Sequence, residues 1–208
     1  MTHGDVLWLT GLPSAGKTTI ARALIVRLHA DEPDRPVDLL DGDELRTELT
    51  RELGFSRADR EENVRRIGYV ADVLSRNGVT AVCPVISPYR SSRDALRERL
   101  GKRFVEIHVS TPVDVCAGRD VKGLYARQRA GQLSNLTGVD DPYEVPENPE
   151  LVLDTMTESP EESLQNVLTK LKELGRVQDD AVMAEADRLH SGLTDLRVAD
   201  SGHVVKES

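Results

Sequence analysis

Short apolar runs alternate along the chain with stretches whose apolar residues recur every three or four positions, the pattern of strand–helix units around a parallel sheet. Val6-Leu7-Trp8-Leu9 reads as a strand buried on both faces. Ile20, Leu24 and Leu28 then fall at i, i+4 and i+8, one face of a helix. Val37 to Leu40 predicts the second strand. Leu45, Leu49 and Leu53 predict a short helix with Gly54 at its C-cap, and Val64, Ile67, Ala71 and Leu74 a longer one closed by Asn77-Gly78. Thr80 to Ile86 and Phe104 to Val109 predict strands three and four. Thr111-Pro112-Val113-Asp114 starts a helix with proline at its first position. Leu151-Val152-Leu153 predicts the fifth strand. Ser159-Pro160-Glu161-Glu162 is a capping box that opens a last helix, with Leu164, Val167, Leu168, Leu171 and Leu174 inward and Gly175 at its end. The expected fold class is α/β, a parallel sheet flanked by helices.

Residues 119–149 break this rhythm. They show no strand pattern and are rich in Arg, Lys, Gly, Asn, Asp and Pro. A long irregular segment inside a compact domain is usually functional, and a lid is expected here. Beyond Gly175 the periodicity weakens; Val182, Ala186, Leu189 and Leu193 suggest one more helix before a frayed end. The expected organisation is a catalytic domain over 1–175 and an extension over 176–208.

Composition narrows the function classes. The 208 residues are 38% hydrophobic and 30% charged, enough for one sheet-based core with a well-solvated surface. No apolar run approaches the ~20 residues that cross a bilayer, and Met1 to Asp5 has no basic region, so a cytoplasmic protein is expected. Cys83 and Cys116 are isolated and expected to be buried, reduced thiols; the five histidines form no metal pair. The net charge of −9 is uneven: residues 1–139 carry 21 basic and 19 acidic groups, and residues 140–208 carry 6 and 17. The front of the chain therefore tolerates anionic ligands, but without the basic excess that nucleic-acid or membrane binding needs.

Gly11-Leu12-Pro13-Ser14-Ala15-Gly16-Lys17-Thr18 fits G-x-x-x-x-G-K-[ST] between a strand and a helix, the context that a phosphate-binding loop requires. Glycines let the backbone wrap a phosphate, and the helix start adds the positive end of its dipole. Lys17 is expected on the β/γ-phosphates of a nucleoside triphosphate and the Thr18 hydroxyl on Mg²⁺, with Thr19 completing the loop. Asp41-Gly42-Asp43 leaves strand two, where an extended chain would project both carboxylates to one side. One would manage Mg²⁺ and the other orient or deprotonate an acceptor hydroxyl, since ligands bind at the carboxyl ends of parallel strands. Arg46, Arg60, Arg90 and Arg93 suit anionic oxygens, while Arg65 and Arg66 read as surface groups. Of only seven aromatics, Phe55, Tyr89, Tyr125 and Tyr143 fall in expected loops or lid, where a nucleobase could stack. The Asn-Lys-x-Asp sequence of guanine readers is absent, which leaves a small-molecule kinase.

Six blocks in order resemble the adenylyl-sulfate kinase family. They are Gly11 to Thr19, Leu40-Asp41-Gly42-Asp43-Glu44-Leu45-Arg46, and Gly54-Phe55-Ser56 with Asp59-Arg60 and Asn63-Val64-Arg65-Arg66-Ile67-Gly68. Next come Ile86-Ser87-Pro88-Tyr89-Arg90 with Arg93-Asp94, Arg119 to Tyr125, and Thr137 to Pro146. The resemblance implies a P-loop kinase fold with a five-stranded sheet, usually a homodimer. It implies transfer of the ATP γ-phosphoryl, with Mg²⁺, to the 3′-hydroxyl of adenosine 5′-phosphosulfate. By the same resemblance Arg46, Arg60 and Asn63 hold the phosphosulfate and ribose, Phe55 stacks on the adenine, and Ile86 and Ser87 border the substrate. Lys122 in the lid faces phosphate, and Ser87 matches a serine that some members carry as phosphoserine. Leu136 stands where the family usually has the second adenine-stacking phenylalanine.

Overall fold

The computed structural model describes residues 3–177. Five strands form one parallel sheet in the order β2-β3-β1-β4-β5: β1 (Val6–Thr10), β2 (Val37–Leu39), β3 (Thr80–Pro84), β4 (Phe104–Ser110) and β5 (Leu151–Asp154). The central strand β1 pairs on one side with β3, Val6 opposite Ala81, and on the other with β4, Val6 opposite Phe104. All five residues of β1 are buried, as the unbroken apolar run requires.

Side chains alternate across the sheet. Val6 and Trp8 join a core with Val64, Ile67 and Ala71 of α3 (Arg57–Arg76) and Leu96 and Leu100 of α4 (Arg90–Leu100). Leu7 and Leu9 point to the other face. The periodicity identified α1 (Lys17–Asp31), which buries Ile20, Leu24 and Leu28. Ser56 and Asp59 form a reciprocal capping box that starts α3, and Asn77 ends it. The short helix α2 (Gly42–Glu48) stops earlier than the leucine spacing suggested: Leu49 is its C-cap, so Leu53 and Gly54 lie in the following loop. Proline 112 is the N-cap of α5 (Val113–Arg119) rather than its first residue. The segment 119–149 is not wholly irregular, because it holds α6 (Leu124–Arg129) and a bridge between Thr137 and Asp141.

Residues up to Lys170 make one compact unit. The second unit begins at Leu171, within α7 (Pro160–Glu173), and its described part ends that helix. Ser159 and Glu162 exchange the expected capping hydrogen bonds. At the other end the amides of Gly175 and Arg176 donate to Lys172 and Leu171, a Schellman close with Gly175 in the left-handed region. The helix expected around residues 182–193 lies outside the described residues.

Candidate active site

A cleft of about 590 Å³ opens at the carboxyl ends of the strands. Its walls come from the loops after β1, β2, β3 and β5 and from the start of the 119–149 segment. This is where a parallel sheet binds ligands, because neighbouring connections diverge there.

The loop after β1 is shaped for an anion. A Cβ at Gly11 would sit 2.5 Å from the Val109 carbonyl oxygen of the adjacent strand, so only glycine fits. Ser14 and Gly16 take φ of 62° and 105°, left-handed positions that curl the backbone into a concave nest. Gly16 caps α1 without a side-chain bond, and the first turn of α1 carries no acid, so its positive end faces the cleft unneutralised. Lys17 is buried and donates to the carbonyls of Gly11 at 2.9 Å and Leu12 at 2.7 Å. Burial, opposed by nearby Cys116, pushes its ammonium down to about 7. Thr18 and Thr19 also line the cleft, whereas Leu12 and Ala15 are buried behind it.

The two aspartates reach the cleft by a different route from the one expected. Neither is in β2: Asp41 is the N-cap of α2, its Oδ1 accepting from the Asp43 amide at 3.0 Å, and Asp43 is in the first turn. The same-side argument for an extended pair therefore fails, yet both side chains line the cleft. The second oxygen of Asp41 lies 3.7 Å from Arg22, and Asp43 forms an ion pair across the cleft with Lys122.

The other end of the cleft is built on Phe55. This residue is 47% exposed, with the Arg46 guanidinium 4.4 Å from its ring centre and Arg60 at 5.6 Å. Burial and the neighbouring Arg60 lower the Arg46 pKa. Arg60 also donates to the Phe55 carbonyl and lies 3.5 Å from Asp141, while Asn63 accepts from Thr50 at 2.7 Å. Ile86, Ser87 and Pro88 close this end.

Several expectations need correction. Ser87 borders the cleft, but its hydroxyl is turned inward: it accepts from Trp8 Nε1 at 3.0 Å and donates to Thr10 at 2.8 Å. Leu136 is not in the cleft lining; it is buried in a turn where its carbonyl accepts from residues 139, 140 and 141 and its amide donates to Asp140. Tyr89 and Tyr125 are buried and no platform for a base, because their hydroxyls bond Asp141 and the Pro13 carbonyl. Tyr143 is half-buried, stacked on His108, whose pKa is pushed down to about 4 by burial and then by Arg93. Arg93 is neither an anion receptor nor a solvated residue: it is buried, ion-paired with Glu106 at 2.9 Å, and donates to the Ser87 and Glu144 carbonyls. Arg65 and Arg66 pair with Glu62 on the surface, as expected. Cys83 and Cys116 are buried free thiols.

Sequence reasoning missed Thr155, Glu158 and Ser163, which form the cleft wall after β5. Their signal was positional only, residues just past the end of a parallel strand.

Comparison with known proteins places this geometry. The adenylylsulphate kinase family model matches residues 3–154. The chain belongs to the adenylylsulphate kinase family. An adenylyl-sulfate kinase of Picosynechococcus is 52% identical over 178 residues, covering 85% of this chain and 99% of the relative. A probable bifunctional SAT/APS kinase of Sorangium cellulosum is 51% identical over 84% of this chain, which spans 29% of that larger protein. The APS kinase of Mycobacterium tuberculosis, solved in complex with AMPPNP and APS, superposes with a TM-score of 0.76 at 39% identity, covering 83% of this chain and 99% of that one. This family member thus has the five-stranded P-loop kinase fold of its structural relatives.

Proposed function

We propose that the protein transfers the γ-phosphoryl group of ATP to the 3′-hydroxyl of adenosine 5′-phosphosulfate, giving ADP and 3′-phosphoadenosine 5′-phosphosulfate. One observation carries this reading: an anion cradle headed by Lys17 and an exposed Phe55 ring flanked by Arg46 and Arg60 line the same cleft, with Asp41 between these regions in sequence. A donor phosphate and a base-bearing acceptor anion can therefore be held together, which is what positioning catalysis of phosphoryl transfer requires.

The proposed residue roles combine the chemistry of the side chains with what the family resemblance implies. Gly11 to Thr19 form the ATP loop, and Lys17 meets its phosphates. Asp41 accepts the proton of the acceptor hydroxyl or orients it, and Asp43 positions the acceptor. Arg46, Arg60, Asn63, Phe55 and Ile86 hold the acceptor, and Lys122 brings charge from the 119–149 lid. Among the described residues no group of three or more His, Cys, Asp or Glu could hold a metal by itself. The hard oxygens of Thr18 and Asp41 fit Mg²⁺ that is held mainly by nucleotide phosphates and water. Bound there, the ion would neutralise developing phosphate charge.

Residues 1–175 are taken as the catalytic domain and 176–208 as an extension. No described helix is long and apolar enough to cross a membrane; a cytoplasmic site of action is part of the proposal. So is self-association as a homodimer; the Thiobacillus denitrificans relative is described as a hexameric APS kinase. Light scattering tests the assembly. A coupled ADP-release assay tests the activity, with adenosine 5′-phosphosulfate set against a panel of other hydroxyl acceptors. Turnover with adenosine 5′-phosphosulfate far above the panel is expected. Preference for a different acceptor overturns the substrate, and nucleotide binding without any turnover overturns the enzyme.

A further inference from the structure

The peptide bonds of the phosphate loop are gripped from behind. Tyr125, on α6, donates its hydroxyl to the Pro13 carbonyl at 3.1 Å. Two peptides later the Ala15 carbonyl faces the hydroxyls of Thr111 at 3.2 Å and Thr155 at 3.0 Å and accepts from Arg119 at 3.4 Å. The two threonine hydroxyls are 2.6 Å apart, so one donates to the other and the second passes its proton to the carbonyl, a two-proton relay that needs both. The hydroxyl donors are buried, Tyr125 2% exposed, Thr111 7% and Thr155 8%, while Arg119 is exposed. Burial, and then the neighbouring Cys116, raises the Tyr125 phenol pKa, so that group stays a donor.

A trans peptide is planar, with its C=O and N–H pointing in opposite directions. Holding the Pro13 carbonyl against Tyr125 therefore turns the Ser14 N–H the other way. Holding the Ala15 carbonyl against Thr111 and Thr155 does the same for the Gly16 N–H. Ser14 and Gly16 are the residues with left-handed φ, and both line the cleft. A non-glycine residue in that region costs of order 1–3 kcal/mol and persists only when its surroundings over-determine it; the carbonyl grip on either side of Ser14 supplies that constraint.

We infer that Tyr125 and Thr111 are positioning residues for the nucleotide: acting through the Pro13 and Ala15 carbonyls, they preset the Ser14 and Gly16 amides that receive its phosphates. The role is separable from direct contact, because neither Tyr125 nor Thr111 lines the cleft, whereas Thr155 and Arg119 do. Tyr125 also ties the loop to α6, and Arg119 ties it to the end of α5, so the base of the 119–149 segment and the phosphate cradle share these contacts. The inference rests on the kinase reading for its ligand, a nucleoside triphosphate.

The test is calorimetric titration of the full chain with AMPPNP and Mg²⁺, beside steady-state kinetics with both substrates. Tyr125→Phe and Thr111→Val each remove one donor with little change of shape. Each should weaken AMPPNP binding about three- to tenfold, the worth of one net hydrogen bond. KM for ATP should rise with it, while KM for the acceptor stays within about twofold. Thr111→Ser keeps the hydroxyl and should restore nucleotide affinity, a rescue that loss of packing alone would not give. AMPPNP affinity unchanged in both variants overturns the inference, as does an equal rise of both KM values. Failure of the wild type to bind AMPPNP overturns the kinase reading and this inference with it.

Discussion

Trp8 Nε1 donates to Ser87 Oγ across 3.0 Å of fully buried space, joining the central strand to the loop after β3 that lines the cleft. The same hydroxyl donates to Thr10, which itself donates to the Ile86 carbonyl at 2.7 Å, and Arg93 holds the Ser87 carbonyl. Ser87 has φ of 40°, a strained backbone that these bonds hold in place.

A hydroxyl so engaged is expected to serve structure rather than phosphate relay. Ser87→Ala should keep measurable turnover but lose about 1–3 kcal/mol of stability, because the buried Trp8 N–H loses its acceptor. Denaturant unfolding followed by the fluorescence of Trp8, the single tryptophan, reads the second effect. A folded but wholly inactive variant, with phosphoserine trapped in the wild type, would contradict this.

Asp41 can be tested cleanly because of its cap. Asparagine is as good an N-cap as aspartate, so Asp41→Asn should leave α2 in place while removing the charge. Turnover should fall by a factor of ~10²–10⁴, the range for a lost general base. Near-wild-type turnover removes Asp41 from the chemistry.

Lys17 makes the protein's behaviour pH-dependent in a definite direction. Its pKa is about 7 in the folded chain against ~10.4 unfolded. Between these values the unfolded state binds more protons, so this group's contribution makes stability rise with pH. Its destabilising effect is fully present below pH ~7 and absent above ~10.4. Binding of a nucleotide phosphate restores the charge, so ATP binding at pH 8 should take up a proton. Calorimetry in buffers of different ionisation enthalpy detects the uptake. Identical heats in all buffers, or the same uptake in Lys17→Met, would exclude Lys17 as its source.

The ion pair between Lys122 and Asp43 joins two exposed side chains, so it matters little to the fold. Lys122→Ala should change unfolding free energy by less than about 1 kcal/mol. Its effect should appear in kcat/KM, which is expected to drop at least tenfold, a loss of about 1.4 kcal/mol in the transition state. A variant with full activity shows that the contact has no part in catalysis.

Leu136→Phe separates the structure from the family pattern. With Leu136 5% exposed inside its turn, the larger ring overpacks the site and should cost about 1–3 kcal/mol. Acceptor affinity should not improve. Tighter binding of adenosine 5′-phosphosulfate in this variant would mean that the turn opens its side chain to the acceptor.

Much of this molecule was legible from order along the chain. Five strands, the helices α1, α3 and α7 and the phosphate loop each rest on local signals: an unbroken apolar run, a 3.6-residue spacing, a capping pair, a glycine that no side chain can replace. Those signals act over a few residues, so the amino-acid order alone carries them, and the family resemblance with its candidate residues came from the same order. What the order could not carry was direction. Ser87 and Tyr89 sit in motif blocks as plainly as Phe55 does, yet the first two turn inward to Trp8 and Asp141 while the ring of Phe55 faces out. Arg93 and Arg46 are both arginines in the helix that follows a strand, but only tertiary packing buries one against Glu106 and lays the other over an aromatic face. A side chain's direction is decided by partners distant in sequence, 79 residues away for Ser87 and Trp8. The sequence by itself therefore determined the fold and the kind of chemistry, and the tertiary structure alone decided which residues face the cleft and which hold it in shape.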